Sequence, residues 1–357
     1  MTRASITLPG TTVAIPPLGL GTWAWGDKST WGMGGYDADL SERTIREAWD
    51  ASLDAGVTFI DTAEVYGSGE SERIIGRLLA EDRAANRGTT PILATKFLPT
   101  PWKLNVRSAL LRSLRASVER LGVEKVHLYQ IHGPISLRGH GALADARAAG
   151  HEAGLLDAVG VSNYSIQEMR AIDRELQSRG LRLATNQIEF SLLRRSPESS
   201  GLIAACHELG VVPLAYSPIG QGRLTGKYSA ASPPPGKRGF SAHPMELVDA
   251  VVAELRRIGA QHDGRTPSQV ALNWLIAKGA VPIPGAKNRK QAEENAGALG
   301  WSLTGAELAA LDAAALEGTR SAGGSRYQLQ NELSVGNLLQ RDVLGLHWVT
   351  DVSPEWR

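Results

Sequence analysis

One feature limits what this chain can fold into more than any other: a short apolar run, a turn and an amphipathic helix recur in that order eight times. Strands are expected at residues 18–23, 58–61, 91–96, 126–131, 158–161, 184–188, 211–216 and 281–283. Helices are expected at 40–55, 71–81, 106–121, within 142–153, and at 166–179, 198–209, 246–262 and 289–299. Gly56 and Gly122 stand where helix stops belong. Strict alternation of strand and helix points to a parallel sheet, and eight units point to a closed barrel rather than an open sheet. The expected fold class is therefore α/β, a (β/α)8 TIM barrel. Two extra helices, at 267–277 and 304–316, break the alternation. An N-terminal β-hairpin, 5–8 with 12–15, turns through Pro9 and Gly10. Residues 1–318 read as the barrel, and 319–357 as a C-terminal extension whose fold the pattern leaves unassigned.

Composition matters where it excludes functions. The 357 residues include 38 basic and 37 acidic side chains, a net charge of +1, so no basic excess exists to neutralise nucleic-acid phosphates. No stretch approaches the roughly 18 apolar residues of a membrane span, and residues 1–17 lack the apolar core of a secretory signal. With Cys206 the single cysteine, no internal disulfide can form. These readings give a cytoplasmic protein with no nucleic-acid or membrane partner, its oligomeric state left open.

In a barrel of this kind, reactive groups gather at the C-terminal ends of the strands. Those positions hold Asp61, Lys96, His132, Ser162 with Asn163, Gln187, Tyr216 and Gly285, while Tyr66 lies just beyond Asp61. Reduction of a carbonyl needs an acid to protonate the forming alkoxide. A free tyrosine, with a pKa of about 10, is a weak acid at neutral pH. An adjacent ammonium stabilises the phenolate, and a carboxylate keeps that ammonium charged and oriented. Tyr66, Lys96 and Asp61 supply these three groups, and a neutral His132 can orient the carbonyl oxygen. Singly, each has an ordinary structural explanation; the set of four is far more specific. A metal-dependent hydrolase has little support, because His127 and His132 are an odd number of residues apart on one strand and face opposite sides. No metal site is expected.

These residues resemble the aldo-keto reductase superfamily from about Leu18 to Leu316. The carrying segments are Leu18-Gly-Leu-Gly-Thr-Trp23, Asp61-Thr-Ala-Glu-Val-Tyr-Gly67, Ala94-Thr-Lys-Phe97, Leu128-Tyr-Gln-Ile-His132, Gly160-Val-Ser-Asn-Tyr164, Asn186-Gln187, Ala215-Tyr-Ser-Pro218, and Ile283-Pro-Gly285 with Glu294-Asn295. Gly26 to Gly32, Gly-Asp-Lys-Ser-Thr-Trp-Gly, is similar to the bacterial and plant branch. The resemblance implies an NADPH-dependent reductase without the Gly-rich dinucleotide turn of open sheets. It gives Tyr66 as proton donor, Asp61 and Lys96 as its supporting pair, and His132 as the carbonyl-orienting group. Ser162, Asn163 and Gln187 would hold the nicotinamide carboxamide, and Tyr216 would stack on its ring. Gly21, Thr22, Trp23, Asp61 and Ile283 complete the expected wall. Phosphates are expected against Ser217, Pro218, Gly220, Gly222, Leu224 and Lys227. A second phosphate-binding turn would hold Gly285, Lys287, Arg289, Gln291, Glu294 and Asn295, with Lys287 and Arg289 gripping the 2′-phosphate.

The chain departs from many relatives at Gly133, where they carry a tryptophan after the histidine; Trp25, Trp31 or Trp102 could fill that space. Some relatives also carry Lys and Arg where this chain has Gly285 and Gln291. The expected substrate is a small carbonyl compound, with loops 26–37, 99–105, 134–141 and the tail deciding which one. Tyr327, Trp348 and Trp356 of the tail could reach the pocket mouth. The superfamily also contains channel-regulating subunits, so an NADPH-binding sensor with slow turnover is the competing reading.

Overall fold

The computed structural model describes residues 5–26, 40–235 and 243–317. Strand β3 (Gly19–Gly21) is the first of the barrel, preceded by the hairpin strands β1 (Ile6–Thr7) and β2 (Ala14–Ile15). Helix α1 (Glu42–Asp54) follows β3, then β4 (Phe59–Asp61), α2 (Glu70–Ala84), β5 (Ile92–Phe97) and α3 (Val106–Leu121). Next come β6 (Val126–Ile131), α4 (His140–Glu152), β7 (Leu156–Ser162) and α5 (Ile166–Gln177). Strand β8 (Leu183–Glu189) leads into α6 (Ser196–Ser199) and α7 (Leu202–Leu209), and β9 (Val212–Tyr216) into α8 (Met245–Gly259) and α9 (Pro267–Ala277). The last strand, β10 (Val281–Pro282), is followed by α10 (Arg289–Ala296) and α11 (Gly305–Ala314).

Strands β3 to β10 pair in sequence order, all parallel. A parallel bridge between Gly21 and Gly285 joins the first strand to the segment after the last, with Gly21 N–H donating to the Pro284 carbonyl at 2.9 Å. A Cβ on Gly21 would lie 2.7 Å from the Ile283 oxygen, so the seam closes because glycine stands there. The expected (β/α)8 barrel and N-terminal hairpin are both present. One expected helix is two, however. Gly201, with φ of 82°, separates α6 from α7 where 198–209 was read as continuous. The apolar period continues across the break, so periodicity alone does not reveal it.

Helix ends follow local chemistry. Ser41, Ser165, Thr266 and Thr304 each close a capping box at an N-terminus, and Gly122 ends α3 in the left-handed conformation. The helices bury one face against the outside of the barrel. Inside it, Phe59, Ala94, Leu128, Ala158, Ala184, Leu214 and Val281 form an apolar floor with Leu8 and Ile15 of the hairpin. That floor excludes water from beneath the next layer up, where strand alternation returns Asp61, Lys96 and Gln130 to the interior. Val159 pairs with Leu183 and Gly160 with Thr185, so Ala184 is a bulge residue that resets the parity of β8. Thr185 and Gln187 thereby join the polar layer.

Candidate active site

Lys96 is fully buried near the end of β5, and a lysine there must find oxygen atoms or lose its charge. It finds three. The ammonium donates to Asp61 Oδ2 at 2.5 Å, the Thr62 carbonyl at 2.9 Å and the Tyr66 hydroxyl oxygen at 3.3 Å, one acceptor for each of its hydrogens. Burial alone would lower its pKa. The Asp61 carboxylate and Tyr66 oxygen outweigh that effect and raise it, so the group stays cationic.

Asp61, 2% exposed, spends its other oxygen on side-chain amides: Oδ1 accepts from Gln187 Nε2 at 2.8 Å and Gln130 Nε2 at 3.2 Å. Gln130 is held in turn by Thr185 Oγ1, which donates to its Oε1 at 3.3 Å. Gln130 and Thr62 were missed as supporting groups in the sequence. Gln130 could have been found by parity, because residues 128, 130 and 132 share one side of β6 and an amide on that side of an apolar strand needs partners.

Tyr66 is held in a short loop by backbone bonds, its N–H donating to the Ala63 carbonyl and its carbonyl accepting from Ser71 N–H. Below that loop, the Ser71 hydroxyl lies 2.9 Å from both Thr22 Oγ1 and Thr62 Oγ1. Glu64 Oε1, from the same loop, accepts from Leu98 N–H at 2.8 Å and ties it to the end of β5. The His132 ring stands edge-on to Tyr66, centroids 5.8 Å apart. Burial, reinforced by the Lys96 charge, pushes the His132 pKa down from 6.5 to about 3, so the imidazole is neutral at physiological pH. Its Nδ1 is buried with no hydrogen-bond partner among the described residues. A lone acceptor is tolerated there better than an orphaned N–H, which favours the tautomer with the proton on Nε2.

The structure brings Ser162, Asn163, Gln187 and Tyr216 together at the same barrel end. Ser162 Oγ donates to the Gln187 carbonyl at 2.9 Å, and Tyr216 OH to Asn163 Oδ1 at 3.1 Å. Asn163 adopts φ of 63° and donates its N–H to the Gln187 carbonyl. Gln187 commits one Nε2 hydrogen to Asp61, and its Oε1 can accept from a nicotinamide amide.

Two segments match the chemistry of a dinucleotide's phosphates. Residues 217–226 form a tight coil in which Ser217, Gly220, Gln221, Gly222 and Gly226 all have positive φ, a conformation that turns peptide N–H groups toward a common side. Pro218 and Leu224 are buried, so Leu224 offers a ligand only its backbone, whereas Lys227 is exposed. The second segment runs from Gly285, itself exposed, to α10. Asn288 caps that helix through Gln291 N–H, and Gln291 Oε1 accepts from Lys287 N–H. Among the described residues Arg289 makes an exposed 3.4 Å pair with Glu293, which costs little to break. Asn295 Nδ2 donates to the Gly285 carbonyl and Trp25 Nε1 to that of Ala286, fixing the turn; Glu294 is half-buried beside Asn295. Thr22 is buried, Trp23 is half-buried, and the Ile283 side chain turns into the apolar floor. Cationic side chains, a helix N-terminus and closely approachable glycine backbone fit a phosphorylated dinucleotide.

Of the three tryptophans expected beside Gly133, two lie within the described residues. Trp25 is fully buried against Trp49, centroids 6.4 Å apart, and Trp102 is 59% exposed. Trp31 and the rest of Gly26–Gly32 after Gly26 lie outside the described residues, as do Tyr327, Trp348 and Trp356. Cys206 is buried, and burial pushes its thiol up to about 12, which leaves it unreactive. His127 accepts from Leu93 N–H through Nδ1, away from this site. No described helix is long and apolar enough to cross a membrane.

Comparison with known proteins agrees with this geometry. Residues 17–316 match the model of the Aldo/keto reductase family. The chain is 36% identical over 324 residues to the chloroplastic pyridoxal reductase of Arabidopsis thaliana, covering 87% of this chain and 86% of that protein. Among solved structures, the glycerol dehydrogenase of Gluconobacter oxydans superposes with a TM-score of 0.74 at 29% identity, covering 90% of this chain and 99% of that one. An aldo-keto reductase from Klebsiella pneumoniae, solved in complex with NADPH, gives 0.69 at 26% identity, with coverage of 90% and 98%. This chain belongs to the aldo/keto reductase family, oxidoreductases that act on carbonyl compounds.

Proposed function

We propose that this protein reduces an aldehyde or ketone to the alcohol with NADPH, the proton coming from Tyr66. The observation that carries the reading is the buried Lys96 ammonium donating at once to Asp61 and Tyr66. Proton loss from Tyr66 leaves a phenolate 3.3 Å from a full positive charge in a site shielded from water, where that attraction is strong. Asp61, held by Gln130 and Gln187, keeps the lysine from tilting away. His132, neutral and with its proton on Nε2, donates to the carbonyl oxygen and draws electron density onto it, leaving the carbon more open to hydride.

NADPH, when bound, supplies the hydride for that carbon. Ser162, Asn163 and Gln187 would hold its carboxamide and Tyr216 would stack on its ring, so that one face is offered to substrate. Residues 217–227 and the turn 285–295 would bind its phosphates, with Lys287 and Arg289 recognising the 2′-phosphate. Gly133, without a side chain where many relatives carry a tryptophan, would leave room beside His132 for carbonyl compounds bulkier than the smallest aldehydes.

Following NADPH absorbance across a panel of aldehydes and ketones tests the activity, and Tyr66→Phe tests the acid. The variant is expected to lose about 10²–10⁴-fold in kcat while NADPH binding, read by fluorescence, stays close to wild type. Normal turnover by Tyr66→Phe would remove the proton donor from this scheme.

A further inference from the structure

Between Tyr66 and α2 the chain turns without regular structure, and Gly67, Ser68 and Gly69 all take positive φ. A turn of that kind leaves the place of Tyr66 to whatever anchors it. The anchor is the first turn of α2, where Ser71 N–H donates to the Tyr66 carbonyl at 3.2 Å. Ser71, Thr22 and Thr62 are all buried, and their hydroxyls have one hydrogen each. The distances allow one order of donation. Thr22 Oγ1 donates to the Asp61 carbonyl at 3.0 Å, which uses its hydrogen. Ser71 Oγ therefore donates toward Thr22, whose carbonyl and hydroxyl oxygens lie 3.1 and 2.9 Å away. Thr62 Oγ1, 2.9 Å from Ser71 Oγ, is then the donor of that pair. The chain runs from Thr62 through Ser71 and Thr22 to Asp61, and every hydroxyl hydrogen has an acceptor.

Thr62 also lends its carbonyl to the Lys96 ammonium. Ser71 is thus bonded to the Tyr66 backbone and to the two threonines that touch Lys96 and Asp61. Beside it, the fully buried Glu72 accepts from Thr95 Oγ1 and from Arg120 Nε, each at 2.6 Å. Thr95 precedes Lys96 on β5, so the same helical turn is pinned to that strand, and α3 holds it through Arg120. We propose that Ser71 is a positioning residue for proton delivery, a role that rests on Tyr66 being the proton donor: its N–H and Oγ together set the distance between the Tyr66 phenol and the Lys96 ammonium. Buried hydroxyls cost free energy unless each finds a partner, and apolar side chains of like shape would serve packing alone. What the hydroxyls add is a fixed separation between the ends of β3 and β4 and the loop that carries Tyr66. The ammonium lies 3.3 Å from the phenol oxygen in a site shielded from water, so a loosened loop weakens a strong attraction.

Ser71→Ala removes the hydroxyl and keeps the backbone bond. It is expected to lower kcat about tenfold, while KM and NADPH affinity stay near wild type. A weaker contact with the ammonium makes the phenol a poorer acid, so the alkaline limb of the kcat–pH profile should move to higher pH. Phenolate absorbance of the cofactor-free protein, taken as the difference from the matching Tyr66→Phe variant, should show its midpoint moving the same way. Lys96, Asp61 and His132 are kept in both proteins, so the movement reports spacing rather than a lost charge. Thr62→Val removes the same bond from its other end, and the double variant should be no slower than Ser71→Ala. An unmoved limb and midpoint, with kcat lost only in proportion to unfolded protein, would reduce Ser71 to packing and overturn the proposal. Should wild-type protein oxidise NADPH with no carbonyl compound, the proposed activity falls, and the phenolate midpoint still decides the role of Ser71. If Ser71→Ala does not fold, Thr62→Val carries the same two measurements.

Discussion

Lys96 and Arg147 are both fully buried cations on or beside neighbouring strands, and the protein treats them in opposite ways. Every hydrogen of Lys96 has an acceptor, one of them a carboxylate, and its pKa is raised. Among the described residues Arg147 has one backbone carbonyl as partner and two nitrogens without one, and burial lowers its pKa. Burial pushes both groups toward neutrality, so the difference lies in what has been built around them. A charge meant to act on a substrate group is surrounded by fixed protein oxygens.

Replacing each cation by methionine sets the two regions directly against each other. Lys96→Met leaves the Asp61 carboxylate buried without its partner. It is expected to destabilise the fold by about 3–5 kcal/mol, read by chemical denaturation, and to abolish turnover. A stable Lys96→Met protein would show that Asp61 is compensated by Gln130 and Gln187 alone. Gln130→Leu probes that point: it removes one donor from Asp61 and strands the Thr185 hydroxyl, at a cost of about 1–3 kcal/mol. Little or no loss in urea denaturation would mean that Gln187 suffices.

His132 gives a pH signature. Its folded pKa, about 3, lies below the unfolded 6.5, so the unfolded chain binds the proton first as pH falls. The stability it contributes is complete above pH 6.5 and is lost progressively toward pH 3. Replacing it with glutamine should flatten the acid limb of a Tm-against-pH curve over that window, and an unchanged limb would contradict the burial argument. The smallest effect is expected from Arg147→Met. Removing an uncompensated buried charge should leave stability unchanged or slightly raised, and turnover intact. A large loss would mean that protein groups already satisfy the guanidinium.

Much of this could be read along the chain. Asp61, Lys96 and His132 stand at strand ends because a parallel barrel places all such ends on one face, and alternation along a strand says which side chains point inward. Gln130 obeys the same parity but is hidden within an apolar strand. Arg147 lies four residues after the buried Leu143 on the inner face of α4. The break at Gly201 and the bulge at Ala184 leave no mark on hydrophobic period.

The order of strands and helices, the helix caps and the inward parity of Asp61 and Lys96 belong to the sequence itself, because each depends on interactions within a few residues. The tertiary structure alone decided that Asp61 is shared among Lys96, Gln130 and Gln187, that Trp25 packs against Trp49, and that Arg147 is buried against the Gly160 carbonyl with no carboxylate partner among the described residues. Those outcomes depend on how separate strands are set beside one another. Register and bulges fix that placement across the barrel, and no local pattern encodes it.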